Sequence, residues 1–215
     1  MARHRLPGLV AATAVGYAAG LVPSAALASR LASGGKVDLR TSGSGNPGAT
    51  NAAAHLGTGW GLAVLALDMG KGAVAGMAGR ALGGTTGGCV AGTASIAGHV
   101  FPATSGFRGG KGVATSAGAS LVLFPAYFLI DAAVAYLAAT RTADADRAIQ
   151  ISSAAWTGAA LLWWRRGLPN AWGPEPTAAL PAFAAASAAV MLAKLALNAR
   201  RARLGPAPEG PGRTP

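Results

Sequence analysis

Two polar segments of the chain carry the residue types that could do chemistry. The first reads Gly43-Ser44-Gly45-Asn46-Pro47-Gly48-Ala49-Thr50-Asn51 and stands just before an apolar run. Glycines let the backbone turn so that several N–H groups face one point. Such a nest at a helix start suits a phosphate or a carboxylate. The simpler reading is a flexible loop in which an Asn caps the helix. The second segment is Gly98-His99-Val100-Phe101-Pro102 followed by Gly106-Phe107-Arg108-Gly109-Gly110-Lys111-Gly112. Here helix-terminal N–H groups, an Arg fork and a Lys point charge would converge on an anion. The competing reading is a basic anchor beside a membrane. The letters approach a Walker A loop, but Gly112 stands where Ser or Thr is required and no strand precedes it. A third feature is Asp68 and Lys71, at i and i+3 inside an apolar stretch. The spacing puts them on one helix face, either as a structural ion pair or as working groups. His99 has no carboxylate at dyad spacing, Ser44 has no neighbouring base, and no His, Glu or Asp cluster has metal-ligand spacing. His4 and His55 look incidental.

The elements that must hold these groups are apolar. The chain has 215 residues, of which 52% are hydrophobic and only 12% charged. Soluble domains carry about 25% charged residues, so too few charges remain here to cover a water-facing surface. Disorder is excluded too, because long stretches carry no charge. Lys and Arg total 18 against 7 Asp and Glu, a net charge of +11. The basic residues fall between apolar runs, which argues for membrane loops rather than a nucleic-acid surface. The single Cys89 excludes an internal disulfide and a Cys-rich metal cluster.

Six stretches have the length or composition of spans: 6–29, 56–79, 81–98, 112–140, 148–164 and 177–193. A bilayer needs about 17–25 apolar residues per helix, with all backbone groups paired internally. The first stretch exceeds a usual signal core, and further spans follow it. Ala and Gly dominate, which predicts close helix packing. The expected fold is therefore all-α: a polytopic membrane helix bundle of about five to seven spans with small-residue packing. The stretch 81–98 reads as one span or a partly inserted segment. Trp156, Trp163, Trp164 and Trp172 fit an interfacial belt. The loops 30–55 and 99–111 and the tail from Asn198 are basic, which places them in the cytoplasm, although Arg3 and Arg5 pull the N-terminus the same way. An outside N-terminus with an inside tail needs an odd number of spans, so one stretch must be split or re-entrant. We divide the chain into an integral membrane domain, 1–198, and a basic Gly/Pro-rich tail, 199–215.

SGSGNPGATN, LDMGKG and GHVFPATSGFRGGKGVATS, in this order and between spans, resemble the PlsY family of membrane glycerol-3-phosphate acyltransferases. The likeness covers roughly 16–205 and thins after Ala119. It implies transfer of a fatty acyl group from acyl phosphate to glycerol 3-phosphate, giving lysophosphatidic acid and phosphate for phospholipid synthesis. It also implies no acyl-CoA or carrier-protein donor, no cofactor and no metal, and a cell-membrane location with the lipid bilayer as partner and no nucleic acid. Residue by residue, Ser44 matches the family's active-site Ser. Asn46 and Asn51 match its loop amides, with Gly45, Gly48 and Thr50 in the same loop. Asp68 and Lys71 match a further motif. His99, Arg108 and Lys111 match the second loop, with Gly109, Gly110 and Gly112 between and after them. Asn198 matches the Asn of a C-terminal HxxN motif, with Arg201 and Gly205 following. Ser44, His99, Lys111 and Asn198 are thus the implied catalytic set, and the others the implied phosphate and substrate contacts. Two positions depart from the family: Ala54 replaces an Arg, with His55 beside it, and Leu195 replaces a His, with Lys194 beside it. A catalytically impaired relative that binds lipid phosphates, or a small anion transporter, are the rival readings. Transporter sites lie near the midplane rather than on loops.

Overall fold

The structure, a computed structural model, describes residues 5–204. Arg3 and the Gly/Pro-rich end from Gly205 lie outside the described residues. The described chain forms α1 (Arg5–Gly20), α2 (Ser24–Ser33), α3 (Ala49–Leu56), α4 (Thr58–Val100), α5 (Val113–Leu123), α6 (Pro125–Thr142), α7 (Ala145–Arg166) and α8 (Ala179–Leu204). Three helical segments are long and apolar enough to cross a membrane by length and composition, 6–33, 58–105 and 179–204.

The segment α4 is two helices in one. Gly83 (φ −145°) and Gly84 (φ 63°, ψ −155°) break it into limbs 58–82 and 85–100. Gly84 holds a backbone conformation that only glycine adopts readily. The limbs fold back on each other: Gly79 meets the backbone of Gly87, and farther from the turn Asp68 meets His99. The stretch 81–98 thus contains the Gly-Gly turn and most of the return limb of a helical hairpin, which begins beyond that turn.

Two more apolar stretches are divided. The stretch 6–29 ends its first helix at Gly20, and α2 starts after Pro23. The stretch 112–140 breaks at Phe124 (φ −140°, ψ 54°), and Pro125, which lacks an N–H, opens α6. Composition runs unbroken across both points, so hydropathy alone missed them.

Contacts fix the direction of each pass. Gly8 of α1 lies against Leu82, beside the hairpin turn, and Gly20 against Gly98 at the opposite end. Lys111, just before α5, pairs with Asp146, just inside α7, while Asn170 reaches the Leu123 carbonyl at the far end. The described residues therefore make seven passes through the bundle: α1, the two limbs of α4, α5, α6, α7 and α8. That odd number is what an outside N-terminus and inside tail require. The loops 34–48 and 101–112, the α6–α7 turn and the C-terminal end of α8 all lie on one face. We refer to it as the loop face. α8 continues to Leu204, so Arg200, Arg201 and Arg203 extend a helix past the boundary drawn after residue 198.

Small residues set the packing, as expected. Gly72 of the first α4 limb lies against the Thr115 backbone of α5, and Gly118 of α5 against the Met69 backbone. The larger core groups Ile96, Val100, Leu123, Phe124, Trp156 and Phe183. Trp156 is 3% exposed and packs edge-on to Phe183, with ring centroids 5.2 Å apart. It belongs to the core, mid-way along α7, and not to an interfacial belt. Trp163, Trp164 and Trp172 do cluster at the end away from the loop face. Trp163 Nε1 donates to Pro169 O (3.1 Å) and Trp172 Nε1 to Leu121 O (2.9 Å).

Candidate active site

A cavity of about 450 Å³ opens on the loop face. Six of the expected site residues line it: Asp68, Lys71, His99, Arg108, Gly109 and Gly110. Asp68 and Lys71 come from the first α4 limb and His99 from the end of the second, so the hairpin itself brings them together. Lys71 Nζ lies 2.8 Å from Asp68 Oδ1 and donates to the Val22 carbonyl at 3.2 Å. His99 Nδ1 lies 3.5 Å from the same Asp68 oxygen. His99 thus has the carboxylate partner that its sequence neighbourhood lacked. Its Nε2 sits over Gly110, where a Cβ would collide with the ring.

The second loop is shaped by its backbone. Gly109 packs so closely on the His99 and Val100 carbonyls that a Cβ would overlap the first of them. Gly106 (φ 60°) and Phe107 (φ 61°) are both left-handed. For Phe107 that conformation is strained, and it turns the chain immediately before Arg108. Among the described residues no carboxylate lies within ion-pair distance of Arg108.

Two contributors escaped the sequence reading. One is the start of α2. Ser24 to Leu27 line the cavity, so the positive end of that helix borders it; of its first-turn N–H groups those of Ser24 and Leu27 bond the Val22 and Pro23 carbonyls, which leaves Ala25 and Ala26. Ser24 Oγ is buried and has no protein partner. The Pro23-Ser24 pair inside an apolar run was the available signal for that helix start. The other is Tyr17 of α1, whose hydroxyl donates to Phe101 O (2.8 Å) and accepts from Ala103 N (3.2 Å). It ties the entry of the second loop to α1. Tyr17→Phe should release that tie and lower kcat/KM several-fold, since two hydrogen bonds of about 1 kcal/mol each are lost. Kinetics alongside thermal unfolding will show it; an unchanged kcat/KM would mean the loop holds its shape without Tyr17.

The first loop borders the cavity through Gly35, the run 37–40 and Pro47, but of its glycine-rich segment 43–51 only Pro47 reaches it. Its expected contacts are arranged as follows. Asn51 is buried and uses its amide on the loop itself: Nδ2 donates to Leu39 O (2.9 Å) and Ser42 O (3.0 Å), and Oδ1 accepts from Ser44 N (3.4 Å). Asn51 therefore pins the loop. Ser44 and Thr50 are exposed, and Ser44 Oγ accepts from Asn46 N at 3.4 Å. Gly45 is left-handed (φ 66°), Gly48 precedes α3, and Asn46 Oδ1 is buried without a partner. None of these six lines the cavity. His55 packs against Gly43, and Ala54 is exposed.

The remaining expected residues are set apart. Lys111 turns away from the cavity to Asp146 (2.5 Å), and Gly112 caps α5 (φ 89°) under Met191 of α8. Asn198 is half-buried and Arg201 exposed on α8, and neither reaches the cavity. Leu195 is 5% exposed within the main core, which leaves no room for a cavity-facing side chain at that position.

Comparison with known proteins gives this arrangement a family. A family model described as glycerol-3-phosphate acyltransferase matches residues 10–205. A glycerol-3-phosphate acyltransferase of Desulforudis audaxviator is 42% identical over 139 residues, 64% of this chain and 69% of that protein. One of Exiguobacterium sibiricum is 42% identical over 116 residues, 54% of this chain and 55% of that protein. The chain spans about half the length of the first curated relatives it matches. A crystal structure of PlsY, an integral membrane glycerol 3-phosphate acyltransferase, in its glycerol 3-phosphate form superposes with a TM-score of 0.70 and 28% identity, covering 91% of this chain and 93% of that one. The lysophosphatidic acid form matches with the same TM-score and 26% identity. The fold is that of an integral membrane helix bundle, and the chain belongs to the glycerol-3-phosphate acyltransferase family.

Proposed function

We propose that this protein transfers a fatty acyl group from acyl phosphate to glycerol 3-phosphate, releasing lysophosphatidic acid and phosphate. The observation that carries the proposal is the loop-face cavity, in which Arg108, Lys71, His99 and the α2 N-terminus converge beside the family's second-loop motif. Both substrates are anions, and an acyl phosphate is already activated because phosphate leaves readily. The protein's tasks are then to hold two phosphates near each other and to aim one hydroxyl.

Arg108 and the α2 N–H groups bind phosphate and stabilise charge that builds on the leaving group. Lys71 balances Asp68 and anchors it. With its Nδ1–H held by Asp68, His99 presents Nε2 as an acceptor and orients the glycerol hydroxyl. The hydroxyl oxygen bonds to the acyl carbon, the carbon–oxygen bond to phosphate breaks, and the departing phosphate takes the hydroxyl proton. Lys111, Ser44 and Asn198, which do not line the cavity, are proposed to close on substrate. For Lys111 that means exchanging Asp146 for a phosphate.

We also place the loop face in the cytoplasm of a cell membrane. Arg30, Lys36, Arg40, Arg108, Arg141, Arg147 and the cluster Arg200 to Arg203 lie on it, against Arg5 at the start of α1 and Arg80, Arg165 and Arg166 at the other end, and this excess is the distribution that the positive-inside tendency favours.

The test is a donor comparison. Radiolabelled glycerol 3-phosphate with palmitoyl phosphate is expected to yield lysophosphatidic acid, and palmitoyl-CoA is not. Equal rates with the thioester would overturn the assignment of acyl phosphate as the specific donor. Binding of glycerol 3-phosphate without turnover on either donor would instead favour a lipid-phosphate-binding relative.

A further inference from the structure

The first-loop wall of the loop-face cavity carries two cations that the mechanism above does not use. They are Arg30, in the last turn of α2, and Arg40, at the end of the run 37–40. Both are exposed to water, and among the described residues no carboxylate lies within ion-pair distance of either. Lys71 and His99 are engaged by Asp68. That leaves the guanidinium groups of Arg30, Arg40 and Arg108 against one further carboxylate on the cavity wall, Asp38, whose Oδ1 accepts from the Arg40 N–H at 2.9 Å. The two arginines stand on a built wall. Leu39 is 2% exposed and packs in one cluster with Ala25 and Ala28 of α2. The buried Asn51 fixes the Leu39 carbonyl through its Nδ2 (2.9 Å). The Asp38 carbonyl accepts from Thr41 N (3.0 Å) and Ser42 N (2.9 Å), in a turn that contains Arg40. α2 and this run are stitched at Val37, whose carbonyl accepts from Ser29 Oγ and whose N–H donates to Ser33 Oγ (3.2 Å). Arg30 follows Ser29 directly, so the same stitches set the spacing of Arg30 and Arg40.

We propose that Arg30 and Arg40 hold the phosphate of glycerol 3-phosphate, while the donor's phosphate lies at Arg108 and the α2 N-terminus. The assignment deepens the proposed acyl transfer and takes the acceptor's identity from it. Two phosphates bound at once need separate cations, because like charges in contact repel. α2 provides two positions. Its first turn offers the free N–H groups of Ala25 and Ala26 together with Leu27, which lines the cavity and is 40% exposed. That end suits a phosphate with an apolar chain attached. The other end of α2 has no free N–H to offer, since the left-handed Gly34 (φ 63°) closes it by donating to the Ser29 carbonyl. An anion there depends on the two guanidinium groups, and Gly35, Asp38 and Arg40 around it are open to water, which suits a soluble substrate. Ser24 and Arg30 are six residues apart, about 9 Å along the helix. A glycerol bridge between a phosphate at one end and a hydroxyl attacking from about 3 Å covers a gap of that order. An acceptor without the phosphate gives the pair nothing to grip, so Arg30 and Arg40 select a phosphorylated polyol.

The test separates the two substrates. Arg30→Ala and Arg40→Ala should each raise KM for glycerol 3-phosphate about five-fold, and the double variant upwards of about ten-fold, since exposed charge contacts are worth less than enclosed ones. KM for palmitoyl phosphate should stay parental in all three. Lys36→Ala removes an equal charge from the same loop at a residue that does not line the cavity, and it should change neither constant. Calorimetric titration of glycerol 3-phosphate into the purified protein without donor should give the same ranking of affinities. If an alanine variant does not fold, Arg30→Gln and Arg40→Gln take its place with the same expected shifts. Weakened glycerol 3-phosphate binding in the double variant, in a protein that turns over neither acyl donor, would retain the site and remove the acyl-transfer reading. Turnover with an unchanged KM for glycerol 3-phosphate in the double variant would overturn the site and leave that reading standing. A rise in KM for palmitoyl phosphate instead would overturn it by giving the pair to the donor. An equal effect from Lys36→Ala would overturn it by reducing the pair to general surface charge.

Discussion

Arg108→Ala is expected to lower kcat/KM for glycerol 3-phosphate about 10²-fold while the protein inserts, purifies and melts as the parent does. The expectation follows from three features of this side chain. It lines the loop-face cavity, it has no carboxylate partner among the described residues, and a strained turn at Phe107 aims it. A charge-assisted contact to a phosphate is worth about 1.5–3 kcal/mol, and its loss in a partly enclosed site translates to that range of rate. Arg108→Lys should recover only part of the loss, since an ammonium cannot grip two phosphate oxygens at once. Near-parental kinetics for Arg108→Ala would show that Arg108 is a membrane-surface anchor and that the phosphates bind elsewhere.

The largest effect on stability is expected from Gly118→Ala. A Cβ there would overlap the Met69 carbonyl oxygen and come within 2.6 Å of the Met69 carbonyl carbon. Those are backbone atoms in the middle of a helix, so no side chain can swing aside, and α5 must move off the first α4 limb. Overpacking of this kind costs upwards of about 3 kcal/mol, or a fall in Tm of about 10 °C for a chain of this size. Gly158→Ala on α7 is the matched control, because nothing lies within 4 Å of the new methyl. It should be neutral or slightly stabilising, given the helix propensity of Ala. Equal melting of the two variants would mean the α4–α5 crossing is looser than described.

Much of this fold could be read from the chain, and the failures have physical causes. Apolar length and small-residue content were enough for a tightly packed membrane bundle. The i, i+3 spacing was enough for the Asp68–Lys71 pair, because helix periodicity is local. The breaks at Leu21–Pro23 and Phe124–Pro125 were missed because they interrupt geometry without interrupting hydropathy. The partnership of Asp68 with His99 was beyond reach for a different reason. It exists only because Gly83 and Gly84 stand midway between them and reverse the helix, and the run containing them read as a span of its own. Tyr17 and the Lys111–Asp146 pair are likewise products of tertiary packing. The glycine loop was half legible: its turns are there, yet Asn51 serves the loop's own backbone, which a motif cannot reveal.

Seven passes put every charged loop that borders the cavity on the same side of the bilayer. The proposed acyl transfer at that cavity would deliver its product to one leaflet only. Each turnover adds an acyl chain and a phosphate head to that monolayer and nothing to the other, so the two areas diverge as synthesis proceeds. On that proposal, the opposite leaflet grows only as lipid is transferred to it, and the rate of this protein sets the lateral pressure difference that such transfer relieves.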